Sequence, residues 1–222
     1  MQTPPAANTG APSNDRANSR QDAMARRHPS APALGLFPDE SIHVSNAIDA
    51  RKREFAAGRR AARAALIAAG ANPASIPANP DRAPAWPTGS TGSISHCKNA
   101  CLAIATTAPK YQGIGIDIEP DSPLDADLIP EILTAQEIEN CADPANIAKS
   151  IFCAKEAAYK AQYALSGQMI GFHDLTVALS KTDTRFVAQL EKNTTTLAAG
   201  TQIHGQILNV AGYVVAFAVI GA

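Results

Sequence analysis

Ile114-Gly115-Ile116-Asp117-Ile118-Glu119 is the pivotal stretch of this 222-residue chain. Isoleucine at every second position is the period-2 signature of a β-strand with one apolar face. Asp117 and Glu119 then project together from the other face, roughly 6–7 Å apart. Two carboxylates at that spacing repel unless a cation lies between them. A third acid from elsewhere would complete an oxygen-rich Mg²⁺ site suited to phosphate chemistry. The source of that acid is Phe152-Cys153-Ala154-Lys155-Glu156-Ala157-Ala158-Tyr159-Lys160, in a helical stretch where Phe152, Glu156 and Lys160 share a stripe. Taken alone, the stripe equally describes a surface helix with an intrahelical ion pair.

Around these stretches the composition is nearly neutral. Lys and Arg number 19 against 20 Asp and Glu, a net charge of −1, which argues against nucleic-acid or membrane partners. With 45% hydrophobic but only 5% aromatic residues, the core must be built from Ala, Ile, Leu and Val. The longest apolar run, from Val210, is broken by Gly212 and Tyr213 and falls short of the ~18 residues of a membrane helix. Cys97, Cys101, Cys141 and Cys153 form no Cys-x-x-Cys pair, so they read as reduced, partly buried thiols of a cytoplasmic protein. The first 32 residues contain no apolar signal core.

The pattern divides into a polar tail over residues 1–33, expected to be disordered, and two lobes, 34–119 and 120–222. A helix is expected from Ser45 to about Ala69, capped by Ser45 or Asn46 and stopped by Gly70. Five prolines between residues 71 and 91 predict a stiff extended loop. Strands are expected at Ser93–Ser95, Ala100–Thr106 and through Asp117. Helices follow at Glu131–Asn140 and Ile147–Leu165, and then strands at Leu175–Leu179, Phe186–Leu190, Gln202–Leu208 and Tyr213–Val219. The fold class is α+β.

No nucleophile elbow, P-loop or dinucleotide fingerprint is present. The sequence instead supplies cations: Arg59, Arg60 and Arg63 on the first helix, Arg82 in the proline-rich loop beside Trp86, and Ser95-His96 at a strand end. Cations bind phosphate and carboxylates hold Mg²⁺.

Gly115-Ile-Asp-Ile-Glu119 followed by Phe152-Cys-Ala-Lys-Glu-Ala-Ala-Tyr-Lys160 resembles the paired signature of the 4′-phosphopantetheinyl transferases. Gly92-Ser-Ile-Ser-His96 resembles that family's upstream motif. Glu54-Phe-Ala-Ala-Gly-Arg-Arg-Ala-Ala-Arg63, Arg82-Ala-Pro-Ala-Trp-Pro87 and Leu36-Phe-Pro-Asp-Glu40 point to its enterobactin-synthetase component D-like, surfactin-type branch. The resemblance implies a pseudo-two-fold pair of α/β lobes with the cofactor in the cleft between them. It further implies transfer of the phosphopantetheine arm of coenzyme A to a serine of an apo acyl, peptidyl or aryl carrier protein, releasing 3′,5′-ADP.

By that resemblance Asp117, Glu119 and Glu156 hold Mg²⁺, and Asp117, Glu156 and Lys160 are the catalytic set. Whether Glu156 or a water takes the serine proton is left open. Arg59, Arg63, Arg82, Ser95, His96 and Lys160 are the expected coenzyme A contacts. Lys155 and Arg60 are expected to face solvent, and the first strand of the N-terminal lobe to be shortened or absent. Leu124, Leu128, Ile129, Ile132 and Leu133 are either a carrier docking patch or ordinary core. A monomer is expected, since a pseudo-dimer already contains both lobes. The rival reading is a catalytically silent coenzyme A-binding subunit of a synthetase complex.

Overall fold

The computed structural model describes residues 22–27 and 35–221, apart from 181 and 183. Of the expected tail, residues 1–21 and 28–33 lie outside the described residues. Residues 22–27 do not: they form β1 (Asp22–Arg27), paired antiparallel with β3 (Ala100–Thr106) from Asp22↔Thr106 to Arg27↔Cys101. The first lobe therefore has its extra edge strand. Its sheet runs β1-β3-β2, with β2 spanning Thr91–Cys97 and β3 Ala100–Thr106. A short α1 (Pro38–Ser41) precedes the long α2 (Asp49–Ala68).

Helix α2 starts later than expected. Ile48 stands at its N-cap without a side-chain cap, and Asp49 supplies the acidic first turn that favours the helix dipole. Its Ala57, Ala61, Ala62 and Ala65 are fully buried in the same core as Cys101, Ala103 and Ala105 of β3. Such small side chains let helix and sheet approach closely. Gly70, at φ 86°, ends the helix as expected.

The second lobe is a five-stranded antiparallel sheet in the order β4-β8-β7-β6-β5. Its strands are β4 (Tyr111–Pro120), β5 (Leu175–Leu179), β6 (Arg185–Leu190), β7 (Gln202–Val210) and β8 (Tyr213–Gly221). Strand β4, which the sequence reading puts at the end of the first lobe, hydrogen-bonds to β8 in this five-stranded sheet. Both faces of β4 are buried. Ile116 and Ile118 pack with Ala100, Leu102 and Val215 in the core between the lobes, while Gly113 and Gly115 meet the long helix α5 (Pro144–Ser166). A Cβ on Gly115 would lie 1.9 Å from the Ala157 carbonyl oxygen, so only glycine admits this contact.

Helix α5 is capped by Asp143, whose Oδ1 accepts from the Asn146 N–H at 3.2 Å, and it ends at Gly167 with φ 61°. The single helix expected over Glu131–Asn140 is instead two pieces, α3 (Ile129–Ile132) and α4 (Ala135–Glu139). Thr134 breaks them by forming a capping box: its hydroxyl accepts from the Glu137 N–H, and Glu137 accepts from the Thr134 N–H. Two lobes, each a long helix laid on an antiparallel sheet, give the α+β architecture anticipated from sequence. None of the described helices is long and apolar enough to cross a membrane.

Candidate active site

The lobes meet where β2 runs beside the edge of β4. Among the described residues no ladder joins the two sheets there; the Ser93 hydroxyl instead accepts from the Ile116 N–H at 3.1 Å. Period-2 alternation then turns Ser95 the same way, and its hydroxyl donates to Asp117 Oδ1 at 2.7 Å. Lys160, from α5, brings its ammonium to the same oxygen at 2.7 Å. It also donates to Ser95 Oγ and the Ile116 carbonyl, each at 3.2 Å. Three elements and both lobes thus converge on one buried carboxylate.

Asp117 Oδ2 is buried and has no hydrogen-bond partner. A buried carboxylate oxygen left bare is costly unless a cation or ligand engages it. Glu156, one turn before Lys160, lies 3.9 Å from its ammonium. Burial holds the Glu156 carboxyl above the usual range; Lys160 opposes this, while Asp117 and Glu119 reinforce it. Glu119 is likewise raised, first by burial and then by the Asp117 charge.

The three carboxylates expected to share a metal are not gathered into one ligand set. Among the described residues no group of three His, Cys, Asp or Glu could hold a metal ion, and the charge beside Asp117 is the Lys160 ammonium. The chemistry of the donors still fits a hard divalent ion. All are carboxylate oxygens, one of them is orphaned, and Mg²⁺ needs only one or two carboxylates when phosphate and water fill its octahedron.

The expected coenzyme A contacts separate into groups. Ser95 and Lys160 belong to the Asp117 cluster. His96 points to the opposite face of β2, in the field of Glu54 and Arg51 from α2. Its ring reaches solvent, yet the surrounding protein desolvates it enough to favour the neutral form. Arg59 is buried under the proline-rich loop, 4.1 Å over the Phe55 ring, with a long bond to the Pro77 carbonyl and an unpartnered Nε. Burial pushes its guanidinium down to about 10, which leaves it charged at neutral pH. Arg82 is exposed and adopts φ 72°, on the ridge between two cavities.

Arg63 does not join them. Its guanidinium pairs with Glu40 Oε1 at 2.6 Å and donates to the Gly35 carbonyl, so its charge is committed to anchoring the Leu36-Phe-Pro-Asp-Glu40 segment on α2. Lys155 is not solvated either. It is 1% exposed and donates to Glu137 Oε2 at 2.8 Å, to the Ile132 carbonyl at 2.8 Å and to that of Phe172 at 2.9 Å. Arg60 is half-buried. In the Leu124 to Leu133 segment, Ile132 and Leu133 are core, Leu124 and Ile129 are half-buried against it, and Leu128 remains 44% exposed.

A cleft of about 320 Å³ lies between the lobes, walled by Arg82, Trp86 and Ile94 on one side and by Tyr159, Lys160 and Met169 on the other. A second hollow of about 450 Å³ is lined by His43, Arg51, Phe55, Asn79 and Arg82. Sequence reasoning overlooked Arg51, although it precedes Arg59 by eight residues, two helical turns, on the same helix. It also overlooked Tyr159 and Tyr163, an aromatic pair with ring centroids 5.6 Å apart.

The cleft between the two lobes thus carries the cations Arg82 and Lys160 together with the Asp81 carboxylate. The family profile of the 4′-phosphopantetheinyl transferase N-terminal domain matches residues 39–106, and that of the 4′-phosphopantetheinyl transferase superfamily matches residues 113–218. The chain is 34% identical to 4′-phosphopantetheinyl transferase Svp of Streptomyces mobaraensis over 73% of its own length and 68% of the relative. It is 30% identical to PptT of Mycobacterium tuberculosis, over 79% of this chain and 81% of that one. Enterobactin synthase component D of Escherichia coli is 40% identical across 50% of this chain and 54% of its own. The chain belongs to the 4′-phosphopantetheinyl transferase superfamily, and it is an enzyme of that class.

Proposed function

We propose that this enzyme transfers the 4′-phosphopantetheine arm of coenzyme A, in a Mg²⁺-dependent reaction, to a serine of an apo carrier protein. The observation that carries the reading is the bare, buried Oδ2 of Asp117 beside the Lys160 ammonium, at the junction of the lobes. Coenzyme A joins pantetheine to 3′-phosphoadenosine through a pyrophosphate. The carrier serine oxygen forms a new bond to the phosphorus bearing pantetheine, and the bond to the ADP oxygen breaks, leaving its electron pair on 3′,5′-ADP.

Glu156 is the group we assign to take the serine proton. Its raised affinity for protons, caused first by burial, brings it nearer to the poise of a general base. Lys160 offsets charge gathering on the pyrophosphate while keeping Asp117 in place. Asp117, with Glu119 or Glu156, would hold Mg²⁺, which when bound supplies positive charge against the phosphate oxygens. We assign the anionic nucleotide end to Arg51 and Arg82, which line the outer hollow, and to His96, which lies in the field of Arg51; the pantetheine arm we assign to the apolar walls of the inter-lobe cleft.

The acceptor we favour is a carrier domain of siderophore or other nonribosomal peptide synthesis, a choice supported by likeness to enterobactin synthase component D over half the chain. We take the enzyme to act as a cytoplasmic monomer, with both lobes coming from one chain and four free cysteines among its described residues. The test is intact-mass spectrometry of an apo peptidyl carrier protein incubated with this protein, coenzyme A and Mg²⁺. Gain of one phosphopantetheine, abolished by chelation and by Asp117→Ala, is expected. Undiminished transfer by Asp117→Ala would refute the role given to this carboxylate. Coenzyme A binding without transfer to any carrier would favour a silent subunit.

A further inference from the structure

Where the proline-rich loop of the first lobe crosses the cleft it meets α5 of the second. The Tyr163 hydroxyl donates to Asp81 Oδ2 at 2.7 Å, at the solvent rim. The polar links deeper in the cleft, Ser95 to Asp117 and Ser93 to Ile116, join the strand edges at its floor. The Asp81 carboxylate serves two masters: Oδ1 accepts from the Ala83 N–H at 2.9 Å within the same turn, and Oδ2 reaches across to the other lobe.

Between Asp81 and Ala83 stands Arg82, a non-glycine residue at φ 72°. The left-handed conformation disfavours an ordinary side chain and persists only where surrounding bonds over-determine it, which is common at ligand clamps. Here Arg82 N–H donates to the Asn79 carbonyl and Asn79 N–H to the Ala83 carbonyl, each at 2.8 Å. Those bonds fix the turn internally. Among the described residues, the Tyr163 hydroxyl is the side chain that ties this turn to the opposite lobe.

We propose that the Asp81–Tyr163 hydrogen bond is an inter-lobe latch. It holds the Arg82 turn over the cleft and thereby sets the affinity for coenzyme A, without taking part in the chemical step. Tyr163 is then a positioning residue acting through Arg82. This rests on the functional reading above, yet the latch has an independent reporter. Trp86 is the single tryptophan of the chain and lines the same cleft, its ring packed so closely over Gly92 that a Cβ there would come within 2.3 Å.

Tyr163→Phe removes only the hydroxyl and retains the ring against Tyr159. In the ligand-free protein it is expected to shift Trp86 emission to longer wavelength and raise acrylamide quenching, with Asp81→Ala doing the same and the double variant adding nothing further. In the transfer assay, Tyr163→Phe is expected to raise KM and Kd for coenzyme A ~5-fold, the scale of one hydrogen bond, with kcat held within about twofold. Unchanged Trp86 fluorescence and quenching in Tyr163→Phe would overturn the latch, whatever the protein does with coenzyme A. A fall in kcat at constant KM would overturn it too, by moving Tyr163 into the chemistry. Wild-type protein that neither binds coenzyme A nor transfers its arm would instead sink the functional reading, and the fluorescence would still decide the latch.

Discussion

Replacing Gly115 by alanine inserts one methyl group where α5 rests on β4, and the geometry sets the cost. The new Cβ would stand 1.9 Å from the Ala157 carbonyl oxygen and 2.8 Å from the Ala161 nitrogen. Both are helix backbone, so neither can swing aside. Restoring an ordinary contact, a little over 3 Å, requires helix and strand to part by more than about 1 Å, and overpacking of this kind costs ~1–3 kcal/mol. Glu156 and Lys160 flank Ala157 on the displaced helix, so the 2.7 Å bond from Lys160 to Asp117 must lengthen with it. A misplacement of about 1 Å in a reacting constellation can reduce the rate ~100-fold. Urea unfolding should therefore show a lower midpoint, and carrier modification should slow by about two orders of magnitude while the variant remains folded. Wild-type stability together with wild-type turnover would refute the claim that this glycine sets the approach of the catalytic helix.

Other outcomes follow from single residues. Lys155→Met leaves Glu137 buried without its cation and should cost ~3–5 kcal/mol in urea unfolding, towards the low end because Glu137 keeps the Thr134 and Val177 N–H groups; a loss below ~1 kcal/mol would contradict this. Thiol labelling of native protein at pH 8 should modify Cys97 and Cys141 ahead of Cys101 and Cys153, since burial pushes the Cys101 thiol up to about 12 and raises Cys153 as well. A native thiol pKa above the unfolded value of 9.0 means the unfolded chain ionises first, so stability should decline as pH rises past about 9 towards 12. Leu128→Glu should weaken carrier turnover and spare coenzyme A affinity in titration calorimetry, because Leu128 is the exposed member of its segment; equal loss of both would exclude a docking role.

How much of this was legible in advance depends on the range of the interaction responsible. Strand β3 was expected at the residues where it forms, and β5 likewise, because alternation and turn residues are local signals. The break between α3 and α4 was equally local but went unread: Thr134-Ala-Gln-Glu137 is a capping-box sequence, and it was passed over inside an apparently continuous helix. Lys155 illustrates the opposite case. Nothing in its neighbours along the chain shows that carbonyls of Ile132 and Phe172 and a carboxylate at 137 close around it. Arg63 fails for the same reason, its partner Glu40 lying 23 residues away. The site itself was partly readable, since strand periodicity puts Asp117 and Glu119 on one face. The engagement of Asp117 by Lys160 depends on how lobes and helix pack, which periodicity does not encode.

The contact between β4 and α5 has a metrical side. Gly113 meets Ala161, Gly115 meets Ala157, Asp117 acts on Cys153, and Glu119 feels Lys149. Two strand residues advance about 6.6 Å and four helix residues about 6 Å, so the two rulers run nearly commensurate across four rungs. One residue inserted between Lys149 and Ala161 would turn everything beyond it by about 100° and put the scale out of step. An insertion is therefore expected to be tolerated only in the loops outside that stretch, where it leaves the interval from Glu156 to Lys160 in step with the strand.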